Sequence, residues 1–160
     1  MLNMNYITPD LVTILHHLDQ LKSDAQPLWG TMSAQEMVEH LTDGVKMSYG
    51  KLIIPLEIKE DQIEKAQGFL DSEHPFPKEF KAAFVPKEIT LRHEELELAI
   101  DEFTMEWVDY LDYYEENPTA KHLHPYFGEL TFDQWQRLQS KHITHHLTQF
   151  GIPISEEEVA

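Results

Sequence analysis

The sequence predicts an all-α protein, a four-helix bundle with one long crossover between its second and third helices. Three observations lead there. Apolar residues recur at three- and four-residue intervals in four separate segments. Two of those segments open on a capping box. A proline-broken stretch without helical period separates the second segment from the third. At 160 residues the chain can bury one core unaided, so residues 1–160 are read as a single domain.

The first helix is expected from Thr8-Pro9-Asp10, with Thr8 as the cap and proline at the first helical position. Leu11, Leu15, Leu18 and Leu21 carry it to about Lys22. The second opens on Ser33 with Glu36 three residues on, runs through Met37, Leu41 and Val45, and stops at Gly50. Between Lys51 and Lys87, Leu52-Ile53-Ile54-Pro55-Leu56 reads as an extended edge segment or loop, and Asp61 to Leu70 as a short helix. His74-Pro75-Phe76-Pro77 and Val85-Pro86 read as non-helical. A connection this long suits a crossover between parallel helices.

The third helix is expected from about Leu91 to Glu116, where Pro118 stops it. Its apolar stripe is Leu96, Ile100, Phe103, Trp107, Tyr110 and Tyr114, and its other faces are an acidic, solvated surface. A loop from Thr119 to Leu130 leads to the fourth helix, opened by Thr131 with Gln134 and closed by Gly151 with Pro153 beyond.

Composition removes several function classes. Without cysteine there is no disulfide, thiolate metal site or cysteine nucleophile, which fits a reducing compartment. No signal segment and no apolar run of roughly 18–20 residues is seen, so a soluble cytoplasmic protein is expected. Twelve Lys and Arg against 29 Asp and Glu give a formal charge of −17, which repels nucleic acid and anionic lipid.

Ten histidines are the main nitrogen donors for a metal. His142 and His146 are four apart, on one face of the last helix. At about 100° per residue, with His142 at zero, Trp135 falls near 20°, His146 near 40° and Phe150 near 80°, while His145 lies near −60° on the flank. His146 therefore points to the apolar face with His142 beside it. His40, at the edge of the second helix's stripe, can face the same interior and complete a three-histidine divalent-metal site with open positions. The competing reading is fortuitous spacing in a histidine-rich chain, with ordinary polar rings.

Other constellations carry less. His16 and His17 are adjacent and cannot share a target. His93-Glu94 lacks the second histidine of His-Glu-x-x-His, since Glu97 stands there. His122 and His124 lie in the loop feeding the last helix, where they would rim a pocket.

Two stretches resemble a known family. Met32–Leu41 (MSAQEMVEHL) resembles the second-helix motif of the metalloenzyme-like DinB/YfiT superfamily. His124–Thr131 (HPYFGELT), Trp135 and Lys141–Gly151 (KHITHHLTQFG) resemble the end of its DUF1569-type branch. The resemblance implies a four-helix bundle with a long crossover, commonly a homodimer, and no DNA binding. It implies a divalent metal (zinc, nickel or iron) held by His40, His142 and His146.

The activity implied is thiol-dependent: transfer or isomerisation of a small-molecule substrate using a low-molecular-weight thiol such as bacillithiol, mycothiol or glutathione. A three-histidine site can lower the pKa of a thiol and present it to an electrophile. His145 and His124 are then candidates for acid/base or supporting roles, and Gln149 for orienting water or substrate. A hydrolase would instead need a carboxylate base, for which Glu36 is the nearest candidate in sequence. A non-catalytic metal-binding or structural bundle is the third reading.

Overall fold

A computed structural model describes residues 6–78 and 89–154. The protein is mostly helical, with five helices and one two-stranded antiparallel sheet among the described residues. The elements are α1 (Leu11–Leu18), α2 (Ala34–Ser48), α3 (Ile63–Asp71), α4 (Leu96–Glu116), β1 (His122–His124), β2 (Gly128–Leu130) and α5 (Phe132–Gln149). The expectation for Val85-Pro86 lies outside the described residues. No helix among the described residues is long and apolar enough to cross a membrane.

α1 is shorter than its leucine pattern suggested. Asp10, not Thr8, is the cap: its carboxylate accepts from Thr13 N at 3.1 Å, leaving Pro9 outside the helix. At the other end, Gln20 N donates to His17 O and Leu21 N to Leu18 O, a tightening turn that ends the helix before Lys22 while still burying Leu21. The α2 capping box forms as the sequence indicated: Ser33 Oγ accepts from Glu36 N at 3.1 Å, and Glu36 Oε1 accepts from Ser33 N at 2.8 Å. Gly50 ends the turn after α2 with φ of +82°.

Residues 52–56 form no strand, and a 3-10 turn at Glu60–Gln62 leads into α3, in keeping with the short helix expected there. α3 packs against α5 and holds the sheet through Gln67 Nε2, which donates to Phe127 O at 2.9 Å and Glu129 O at 3.2 Å.

α4 starts at Leu96 rather than Leu91 because Glu39 captures the chain before it. The Glu39 carboxylate, 3% exposed, accepts from Arg92 N at 2.8 Å and His93 N at 3.3 Å. Gln35 Nε2 donates to His93 O at 2.7 Å. These backbone groups bond across to α2 instead of along a helix.

The expected loop at 119–130 contains the sheet, so the protein is not purely α-helical. β1 and β2 pair His122 with Leu130 and His124 with Gly128. Leu130 and Phe127 are buried, which anchors the hairpin to the core. α5 opens on its Thr131–Gln134 capping box as expected. The core joins Ile14 and Leu18 of α1, Met37, Leu41 and Val45 of α2, Phe103 and Trp107 of α4, and Trp135, Ile143 and Leu147 of α5.

Candidate metal centre

The close packing of α2 on α5 brings His40 to the face that carries His142 and His146. His40 Nε2 lies 3.0 Å from His142 Nε2, and His146 Nε2 lies 3.2 Å from the same atom. One nitrogen from each ring falls within 4.8 Å of the others, and the three rings meet edge to face. Among the described residues no carboxylate joins this cluster. Three histidines from two helices can therefore hold a metal ion.

The tautomer of His146 is fixed by its surroundings. Gln149 Nε2 donates to Trp29 O at 3.0 Å, so Gln149 Oε1 faces the ring and accepts from His146 Nδ1–H at 2.7 Å. With its proton on Nδ1, neutral His146 presents a bare Nε2 lone pair to the cluster, the arrangement a metal ligand requires. Gly30, at φ of +77°, makes room: a Cβ there would stand 3.1 Å from Gln149 Nε2. The sequence offered Gln149 as a residue orienting water or substrate; here its amide is engaged with the ring of His146 and the Trp29 carbonyl.

Electrostatics favour the neutral, ligand-competent rings. Burial, with a smaller contribution from His145, pushes His40 down to about 4. Burial first, then His146 and His40 and to a lesser degree His145 and His124, holds His142 well below the usual imidazole range. Burial and His40 do the same to His146 against the opposing bond from Gln149. Three imidazoles packed this closely repel a proton but can share a cation.

The other candidates take separate places. His145 lies on the flank of α5, its ring edge against His146 at 4.9 Å between centroids and its other contacts on Trp29 and Phe76. His124 on β1 accepts from Tyr126 N through Nδ1 at 3.0 Å, and burial lowers its pKa to about 3. Glu36 is bound into the α2 capping box.

Two neighbours were missed from sequence. Phe76 sits 6.0 Å between centroids from both His142 and His145, and its segment is secured by Lys141 Nζ, which donates to His74 O at 2.6 Å. Trp29, from the loop before α2, covers His145. Both come from irregular segments, where no periodicity marks the inward side chain; the prolines flanking Phe76 were the one available signal.

No curated protein and no solved structure matches the chain. Residues 82–152, which include His142 and His146 but not His40, match the model of a family described as a protein of unknown function (DUF1569), and the match supports that family for this part of the chain.

Proposed function

We propose that this protein is a metal-dependent enzyme in which His40, His142 and His146 hold one divalent ion and a low-molecular-weight thiol reacts with a small electrophile, as in an S-transferase or isomerase. The observation that carries the reading is the convergence of three neutral Nε2 atoms, one of them aimed by Gln149. When bound, a zinc, nickel or iron ion at such a site supplies Lewis-acid activation of a nucleophile, and three imidazoles leave positions open for it. The choice of a thiol over water follows the resemblance of the two motifs. It is supported by the absence of a carboxylate from the cluster among the described residues and by the engagement of Glu36 at its helix cap. His145, beside His146 and against Phe76, is assigned to proton transfer at the substrate side. In the same reading α1, α2, α4 and α5 are the four bundle helices; α1 and α2 each pack on α4 and α5 in support.

The test is metal content by mass spectrometry on untagged protein, wild type and His146→Ala, followed by a screen of thiols with electrophiles on the loaded protein. About one ion per chain, lost in the variant, together with thiol-dependent turnover is the expected result. Stoichiometric metal with turnover that ignores thiol would move the assignment to hydrolysis. Wild type that stays metal-free after incubation with zinc, nickel and iron would end the metalloenzyme reading.

A further inference from the structure

Two N–H donors stand beside the histidine cluster without an acceptor. Trp135 is fully buried on α5, and its indole Nε1–H meets no hydrogen-bond partner among the described residues. The ring of His124 is 5.6 Å from that indole, centroid to centroid. Because His124 Nδ1 accepts from Tyr126 N, the neutral ring carries its proton on Nε2, and no acceptor for it occurs among the described residues. Buried donors are almost always met, so the unmet Trp135 N–H points to a missing acceptor, and the N–H of half-buried His124 stands open beside it.

The surroundings say what kind. Phe127 packs 4.9 Å from His124, Phe76 lies 6.4 Å from Phe127, and Phe76 reaches His142 at 6.0 Å, all between centroids. A run of rings thus leads from the two donors to the metal-binding histidines. Apolar walls and uncharged donors suit an uncharged oxygen; a carboxylate would lose its hydration with no cation in the pair to offset it.

We propose that His124 Nε2–H and Trp135 Nε1–H form a subsite for the carbonyl-type oxygen of a small, uncharged, apolar substrate. The inference rests on the proposed function only in taking that molecule as the electrophile; two hydrogen bonds to its oxygen would orient it and draw electron density from the adjoining carbon.

The experiment follows the indole N–H signals of 15N-labelled, metal-free protein during titration with acetophenone, and separately with benzoate. Trp135 is assigned with Trp135→Phe. Trp107, a buried indole on α4 packed between Phe103 and Tyr110 and equally without a partner, is the internal control. Expected is a saturable downfield shift of Trp135 with acetophenone, an unmoved Trp107, and benzoate at least tenfold weaker. His124→Phe should weaken acetophenone at least tenfold, while His124→Gln, which restores an N–H near the Nε2 position, should weaken it less. A Trp135 signal that saturating acetophenone leaves in place, or that shows contact to a bound water acetophenone does not displace, would overturn the proposal; the donors would then serve a structural water. Equal binding to His124→Phe would overturn it as well. His146→Ala should lose metal yet keep the acetophenone response, so failure of the metal site and failure of this subsite are separately visible.

Discussion

Gln149 Oε1 stands 2.7 Å from His146 Nδ1, and the same amide donates to the Trp29 carbonyl at 3.0 Å. The loop before α2 thus sets the orientation of an amide, and the amide sets the tautomer of a histidine that faces His40 and His142. Replacing Gln149 with leucine keeps the bulk and removes the acceptor. Metal affinity should fall about 10- to 100-fold, the usual effect of losing a partner of a ligating histidine. Gln149→Glu keeps the acceptor for His146 but loses the donor to the Trp29 carbonyl and sets a buried carboxylate oxygen against it, so its affinity should fall between wild type and Gln149→Leu. Competition with a chromophoric chelator measures both, and unchanged affinity in Gln149→Leu would mean the amide does not govern the ring.

Metal removal is the second test. An ion that binds only the folded chain stabilises it by about 2.7 kcal/mol at a hundredfold excess over Kd. At this chain length that corresponds to roughly 5–10 °C in Tm. Chelator-treated wild type should melt lower by that order, and re-addition of the ion should restore the difference. His40→Ala should show no such response to added metal. A wild-type Tm indifferent to chelator and to added ion would count against a bound ion.

What could be read from sequence divides by distance along the chain. The Ser33–Glu36 and Thr131–Gln134 capping boxes operate over three residues, so their sequence signal is their structure. His142 and His146 share a helix face by spacing alone. His40 does not; its place opposite them depends on how α2 packs against α5, which its position at the edge of the α2 stripe allowed and the motif resemblance singled out. Glu39 shows the converse. Its carboxylate reaches 53 residues ahead to Arg92 N and shortens α4, an effect no local propensity contains. The sheet was missed because His122–His124 and Gly128–Leu130 are three residues each, too short for alternation to stand out.

Buried neutral histidines make a prediction about pH. Burial chiefly holds His40 at about 4 and His124 at about 3 in the folded protein, against roughly 6.5 when unfolded. Below pH 6.5 the unfolded chain therefore takes up protons that the folded chain refuses. Their contribution is fully present above about 6.5 and is lost as pH falls toward 4 and then 3, at up to about 1.4 kcal/mol per pH unit for each group. Urea unfolding of metal-free protein should show a lower midpoint at pH 5 than at pH 7.5. His124→Gln should have a shallower pH slope than wild type. A midpoint that does not move between these pH values would contradict neutral burial.

Two glycines should respond in opposite directions to the same substitution. Gly50 has φ of +82°, and a Cβ there would lie 2.8 Å from the ring of His122, whose Nε2 is bonded to Tyr113 Oη at 2.7 Å. Gly50→Ala must adopt a left-handed conformation at about 1–2 kcal/mol and also displace that ring. A loss of about 2–3 kcal/mol is expected. Gly68 lies within α3, and a Cβ there meets nothing within 4 Å. Gly68→Ala should gain about 0.5–1 kcal/mol from helix propensity and a less disordered unfolded chain. Urea denaturation of both variants measures the contrast, with the m-value checked so that midpoint shifts report stability. If Gly50→Ala cost no more than a few tenths of a kcal/mol, neither the backbone angle nor the packing of His122 on the end of α2 would be as described.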